Sequence, residues 1–267
     1  MTSHENDRHD RAAAAIAAAR LAHRPIEPLP DDIRPIDFAA AHAVQDALHA
    51  RLAAAGMGAR VGYKIGCTTA VMQEALGITH PCDGGILAAN VHRGPAELRH
   101  GDYVKVGVEC EIAVLLGADL AAEDAPFTQA SVADAVEACM AAIEIVDSRY
   151  ADFDAVGVET LIADDFFGAG CVLDDPVTDW RDLDLAAVEA WTLIDGVETG
   201  RGRGADVMGH PLAALAWLAN DLAGRGRGLK RGEFVLTGSM VAAEYPEPGQ
   251  TVEVVVDGLG AARARFV

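Results

Sequence analysis

Apolar positions recur at helical spacing twice near the start of the chain. Residues 8–23 read as an Ala-rich surface helix. Over 37–55, Phe38, Ala41, Val44, Ala47 and Leu48 share one face, and Asp37 stands where an N-cap belongs. Pro25, Pro28, Pro30 and Pro35 crowd the connector between the two, which cannot be helical throughout. The pattern predicts a small helical cap over 1–60 ahead of a β-rich body over 61–267, the two forming one compact unit.

From Val61 onward the texture changes to short β-like runs separated by Gly, Pro and Asp. The longest covers 104–116, interrupted only by Gly107, and 143–146, 234–237 and 252–256 read as further strands. Residues 191–199 read as a hairpin about the turn dipeptide Asp195-Gly196. Helices are predicted over 128–140, with Ser131 and Asp134 at capping-box spacing, and over 211–223, with Pro211 in the first turn. No internal repeat is evident. The body is α+β, mostly strand with a few helices.

Composition narrows the classes. With 51% hydrophobic residues in 267, the chain is an ordinary globular protein. Its formal charge of −20 argues against nucleic acid, which needs clustered Lys and Arg. An anionic substrate would have to be held by a local feature such as a metal, a Lys or backbone N–H groups. Five scattered cysteines (67, 82, 110, 139 and 171) include no C-x-x-C pair, which points to a reducing compartment and to no disulfide framework. No apolar run reaches membrane-spanning length, and the Ala-rich stretch at 12–19 follows an acidic, His-rich segment that lacks the basic start of a signal peptide. A cytoplasmic protein without membrane or nucleic-acid partners is expected.

The most informative stretch is Val108-Glu109-Cys110-Glu111-Ile112-Ala113-Val114-Leu115. Alternation along a strand puts Glu109 and Glu111 on one face and Cys110, Ile112, Val114 and Leu116 on the other. Two adjacent carboxylates on an apolar strand are costly to bury unless neutralised. A divalent cation does this, and carboxylate ligands favour hard ions such as Mg²⁺ or Mn²⁺ over zinc. An exposed polar strand face would carry the same pattern without a metal. Glu144 lies alone in the apolar run Ile143-Glu144-Ile145-Val146, and a strand–helix–strand connection can return it beside the first pair. Three carboxylates leave positions open for water and substrate. Pairing with Arg149 is the alternative for Glu144.

Lys64 stands between apolar residues in Gly62-Tyr63-Lys64-Ile65-Gly66, where burial would disfavour its charged form and let it act as acid or base. Asp83, in the turn-like His80-Pro81-Cys82-Asp83-Gly84-Gly85, offers a second proton-transfer group beside glycines that let a small ligand approach. A surface Lys and a loop Asp would look the same. Gly200-Arg201-Gly202-Arg203-Gly204 lacks the βαβ context of a dinucleotide loop, and the nine histidines include no H-E-x-x-H.

Several motifs occur in order: Tyr63-Lys64-Ile65-Gly66, Glu109-Cys110-Glu111-Ile112-Ala113, Ile143-Glu144-Ile145-Val146-Asp147-Ser148-Arg149, Gly209-His210-Pro211 with Trp217-Leu218-Ala219-Asn220, and Leu236-Thr237-Gly238-Ser239. Together they resemble the 2-keto-4-pentenoate hydratase and 4-oxalocrotonate decarboxylase group of the fumarylacetoacetate hydrolase family. The resemblance implies a rolled mixed β-sheet with flanking helices and a homo-oligomer, with association with another pathway enzyme as a further option. It implies that Glu109, Glu111 and Glu144 hold Mg²⁺ or Mn²⁺ and that Lys64 and Asp83 handle protons. The implied reaction adds water to a small 2-hydroxy-2,4-dienoate to give a 4-hydroxy-2-oxo acid, in the catabolism of aromatic or related compounds. Decarboxylation of a 2-oxo diacid, hydrolysis of an acylpyruvate, and a non-catalytic partner role are the alternatives.

Candidate substrate contacts are Thr68, Asp165, Phe167 and the Thr237-Gly238-Ser239 turn, with its N–H and hydroxyl donors. One segment departs from the family pattern. Where Ala-Asp-Asn is commonly followed by a small residue and Ser, this chain has Ala163-Asp164-Asp165-Phe166-Phe167-Gly168. Rings facing the site would make the pocket more apolar; rings packed in the core would leave it unchanged.

Overall fold

The computed structural model describes residues 3–152 and 156–267. The α-helices among them are α1 (Ser3–Leu21), α2 (Phe38–Leu52), α3 (Ala70–Leu76), α4 (Gln129–Ala135), α5 (Val158–Ala163) and α6 (Pro211–Gly224). The first strands are β1 (Arg60–Gly66), β2 (Cys82–Leu87), β3 (Val91–Arg93), β4 (Ala96–Leu98), β5 (Val106–Leu116) and β6 (Val136–Asp147). They are followed by β7 (Gly168–Leu173), β8 (Glu189–Ile194), β9 (Val197–Arg203), β10 (Phe234–Ser239), β11 (Thr251–Val256) and β12 (Gly260–Phe266).

A curled seven-stranded sheet has the order β2-β1-β10-β5-β6-β7-β3, and a five-stranded sheet has the order β4-β12-β11-β8-β9. Both are mixed, with β1 parallel to β10, β3 to β7, and β4 to β12, and the other pairs antiparallel. The main core fills the space between the sheets. Cys110, Ile112 and Val114 of β5 meet Val252 and Val254 of β11 there, with Leu215 and Leu218 of α6. The opposite face of the larger sheet is apolar only at one end, where Ala113, Met140, Ala142, Phe234 and Leu236 pack together. Its other end carries Glu109, Glu111, Glu144 and Lys64, because these positions continue the same alternation.

Asp37 does cap α2, accepting the N–H of Ala40 at 2.8 Å. Ile16 of α1 and Val44 and Leu48 of α2 share a core with Leu161, Ile162 and Phe166 of the body, so the cap is built into the wall it covers. The predicted helix over 128–140 stops early. α4 ends at Ala135, its capping box is formed by Thr128 and Ser131, and β6 begins at Val136. β6 is buried on both faces almost throughout, which removes the alternation that marks a strand and leaves an Ala-rich run that mimics a helix.

Candidate active site

Register builds the centre of the site. Antiparallel pairing of β5 and β6 sets Glu109 directly opposite Glu144, and Glu111 one step along the same face opposite Ala142. Like charges directly opposite destabilise a sheet. Here each of the three side chains offers an oxygen within 4.8 Å of the others. Burial, then Glu144, pushes the Glu109 carboxyl up to about 7 against the pull of Lys64. Burial, with Glu144 and Glu109 beside it, holds Glu111 well above the usual carboxylate range.

Lys64 is the cation of this cluster. Its Nζ lies 3.1 Å from Glu144 Oε1 and donates to the Phe166 carbonyl at 3.2 Å. Burial alone would lower its pKa, but Glu144, Glu109 and Glu111 outweigh burial and raise it, so the ammonium is held protonated. This corrects the expectation that burial would disfavour the charged form.

One cation does not balance three carboxylates. Glu111 Oε1 and both oxygens of Glu144 are buried without a well-formed hydrogen bond, and Lys64 meets Glu144 Oε1 as an ion pair. Orphaned carboxyl oxygens of Glu111 and Glu144, with a Glu109 oxygen within 4.8 Å, suit a hard divalent cation, which takes carboxylate oxygens and keeps open positions. The donor set fits such an ion.

The segment at the end of β10 locks one ligand. Gly238 has φ +120°, a bulge interrupts the pairing with β5, and the Gly238 N–H donates to Glu111 Oε2 at 2.7 Å. A Cβ at Gly238 would lie 2.5 Å from the Thr68 methyl, so both φ and space require glycine. Thr237 is fully buried and its hydroxyl donates to the Ile112 carbonyl. Thr237 and Gly238 therefore support the strand and Glu111, while Ser239 and Thr68 line a cavity of about 500 Å³ that opens from Lys64 and Glu109.

Asp165 and Asp83 lie elsewhere. Asp165, Phe166 and Phe167 form a left-handed turn with φ of +56°, +48° and +66°. Such backbone costs about 1–3 kcal/mol per residue and persists only where the surroundings over-determine it. Asp165 supplies that restraint by accepting from Arg20 at 2.8 Å and the Gly85 N–H at 2.8 Å, and by pairing with His49 Nε2 at 2.6 Å. Burial works against its charge, but His49, Arg20 and the Gly85 N–H win and hold the carboxyl well below the usual range. Gly84 makes room, since a Cβ there would meet the Asp165 carbonyl at 2.7 Å. Asp165 thus faces the cap and is absent from the cavity lining, which corrects the expectation for that residue, while Phe166 and Phe167 both line the cavity.

Asp83 pairs across β1 with Ile65, whereas Lys64 pairs with Gly84, so the two side chains leave opposite faces of the sheet. Asp83 lies 3.0 Å from Arg225 and 3.7 Å from His42, in a smaller pocket that includes Trp217 and Asp221. The expectation that it shares a site with Lys64 is corrected on that ground. Asp83, Asp221 and His42 also converge within 4.8 Å, but Arg225 already bridges the two carboxylates, and burial lowers the His42 pKa despite Asp83, leaving the ring neutral.

Residues 84–267 match the fumarylacetoacetate (FAA) hydrolase C-terminal domain. The chain belongs to the fumarylacetoacetate hydrolase family. It is 35% identical over 254 residues to a 2-keto-4-pentenoate hydratase from Burkholderia vietnamiensis, covering 95% of both chains. It is 36% identical over 259 residues to 2-keto-4-pentenoate hydratase 2 of Dechloromonas aromatica, covering 96% of this chain and 97% of that one. Among solved structures, 4-oxalocrotonate decarboxylase from Pseudomonas putida G7, complexed with magnesium and adipate, superposes with a TM-score of 0.90 at 27% identity, with 98% of each chain covered.

In this member of the family, several cavity residues carry no sequence signal. Met72 and Leu76 of α3, Leu161 of α5 and Tyr245 reach the same cavity from distant segments. His49 and Arg20, the partners of Asp165, are ordinary helix residues until the cap folds over the turn. No helix among the described residues is long and apolar enough to cross a membrane.

Proposed function

We propose that this chain is a divalent-metal-dependent hydratase. It adds water to a 2-hydroxy-2,4-dienoate to give a 4-hydroxy-2-oxo acid, in the breakdown of aromatic compounds. The observation that carries the reading is the undercompensated cluster of Glu109, Glu111, Glu144 and Lys64, which reaches the cavity through Lys64 and Glu109. Near full-length likeness to hydratases supports it.

Glu109, Glu111 and Glu144 would hold Mg²⁺ or Mn²⁺, hard ions matched to carboxylate oxygens. When bound, the cation polarises the 2-oxo group and offsets the negative charge that develops there. Lys64 Nζ holds a proton at the cavity wall, and the Phe166 carbonyl fixes its direction. Glu144 Oε1, 3.1 Å away, is the nearest anion to that proton and stabilises it until substrate arrives. The Phe166 ring, centred 5.7 Å from Nζ, shields the ammonium from water. The Gly238 N–H keeps Glu111 aimed inward.

Turnover of 2-hydroxypenta-2,4-dienoate, followed as loss of the conjugated dienol absorbance with Mg²⁺ or Mn²⁺, tests the reading. Lys64→Ala should lower kcat on the order of 10³-fold while leaving metal binding by calorimetry in place. Near-normal turnover in that variant would remove Lys64 from the mechanism. The likeness to 4-oxalocrotonate decarboxylase favours a second reading, loss of CO₂ from a 2-oxo diacid at the same head group. Release of CO₂ with no dienol consumption would select it.

A further inference from the structure

The cavity extends well beyond the cluster that would hold a 2-oxo acid head. At about 500 Å³ it falls in the range of about 300–1,000 Å³ that accommodates drug-sized ligands, far more than a five-carbon acid fills. Past Lys64 and Glu109 its walls are mostly apolar, with Thr68, Ser148 and Ser239 as neutral polar side chains among them. Phe166 and Phe167 form one side, their rings edge to face with centroids 5.6 Å apart. Met72, Leu76 and Leu161 lie among the other lining residues.

Charge along the lining is one-sided. Lys64 is the cation among the lining residues, and it is committed to Glu144 and the Phe166 carbonyl at the head. The other ionisable carboxyl groups on the lining are Glu109 and Asp206, and neither can pair with a second carboxylate as a cation would. A second carboxylate on the substrate would be desolvated there without a cationic partner and beside Asp206. An uncharged tail would instead bury its surface against aromatic and aliphatic walls. The left-handed turn that presents Phe166 and Phe167 is pinned by Arg20, His49 and the Gly85 N–H through Asp165, so the aromatic wall is a fixed feature of the cavity.

We propose that the substrate carries an extended, uncharged apolar tail, alkyl or aryl, on its 2-hydroxydienoate head, and that Phe166 and Phe167 determine this preference. The proposal rests on the hydratase reading for the head and adds the tail.

The test compares kcat/KM for four dienoates with the metal-loaded protein: untailed, propyl-tailed, phenyl-tailed, and carboxylate-ended with the propyl chain length. In parallel, calorimetry measures binding of unreactive saturated 2-oxo acids with the same four tails. Each buried methylene should raise kcat/KM about 4-fold, so the propyl tail should gain on the order of 50-fold over none. The carboxylate-ended substrate should fall on the order of 10²-fold below its propyl counterpart. Phe167→Ala should shrink the tailed-to-untailed ratio, and Leu76→Ala, on the lining from a short surface helix, should shrink it too if the first variant folds poorly. Tail-dependent binding of the 2-oxo acids without turnover of any dienoate would keep the tail pocket and overturn the hydratase reading. Equal kcat/KM for untailed and tailed substrates, or preference for the carboxylate end, would overturn the tail proposal while leaving hydration intact. No binding of any 2-oxo acid would overturn both.

Discussion

Two clusters of buried carboxylates meet around the 165–167 turn, and the chain treats them in opposite ways. On the cap side, Asp164 and Asp165 face Arg20, Arg149 and His49. Arg149 Nε donates to Asp164 at 2.8 Å, and none of the four carboxylate oxygens is left buried without a partner. Burial still raises the Asp164 pKa against the pull of Arg149 and Arg20, but Asp165 is held firmly ionised. On the cavity side, three Glu share one Lys, and three of their oxygens are orphaned. A balanced cluster rigidifies a fold; an unbalanced one at the same depth stores a demand for an external cation. Charge balance, more than burial, separates the structural cluster from the functional one.

The largest effect should come from removing one charge on the unbalanced side. Glu111→Gln keeps shape and can still accept the Gly238 N–H. Loss of one metal ligand should lower kcat/KM on the order of 10³-fold, equivalent to about 4 kcal/mol of transition-state stabilisation. The same change relieves repulsion in the metal-free protein, so its Tm should rise, by about 2–4 °C for each kcal/mol relieved. A fall in metal-free Tm would mean that Glu111 is already compensated and that the contrast with the cap cluster is false.

Asp165→Ala should do the reverse, unfolding the protein more easily. It strands Arg20, His49 and the Gly85 N–H, and breaking a buried pair of this kind costs about 3–5 kcal/mol. Asp165→Asn should cost less, because an amide oxygen can still accept from Gly85. Urea denaturation of both variants gives the ranking. Equal stability of Ala and Asn at this position would sink the pinning role.

These two clusters also mark how far the sequence could be read. Glu109, Glu111 and Glu144 were legible because a strand period of two and a short connection are local properties, and register then brings them together. The helical cap, the hairpin at Asp195-Gly196 and α6 were legible for the same reason. Asp165 was not, because its partners His49 and Arg20 lie 116 and 145 residues away in the chain. The acid in place of the family's amide reads as a change in the substrate site; contacts with Arg20 and His49 of the cap account for it instead. Asp83 was not legible either: its segment reads as a turn, whereas Cys82–Leu87 forms β2, and its pairing with Ile65 sends the side chain to the face opposite Lys64.

A smaller effect separates the clusters by pH. A Glu is ordinarily near 4.3 when unfolded. In the folded, metal-free protein Glu109 is pushed up to about 7, and Glu111 is also raised. Between these values the native state binds more protons than the unfolded state, so stability falls as pH rises. Thermal melts in chelator should therefore drop from about pH 5 to about pH 8. Asp165, held low, contributes stability that is present above its unfolded pKa and lost only in strong acid, so it adds no slope in this window. Adding a divalent cation should flatten or reverse the slope, because metal and protons compete for the same oxygens. A chelator-treated profile that stays level across this range would show that the three Glu are already ionised and compensated.

The smallest effect tests the pocket on the other face of β2. Asp83 is buried there, and Arg225 Nη2 reaches it at 3.0 Å and Asp221 at 2.5 Å. Because this cluster pairs two carboxylates with one partly exposed Arg and a neutral His42, it is intermediate between the other two. Arg225→Met removes the cation and keeps much of the stem. It should destabilise by about 1–3 kcal/mol, the range for leaving a buried acceptor unpaired. Asp83 lies across the sheet from Lys64, so kcat/KM should stay within roughly threefold of the parent, the change expected when no transition-state interaction is lost. Urea denaturation and turnover of the dienoate, measured on the same preparation, read the two quantities separately. A drop of 100-fold or more in kcat at near-parent stability, about 2.7 kcal/mol of barrier, would return Asp83 to the proton-transfer machinery and require a path through the sheet that side-chain alternation does not provide.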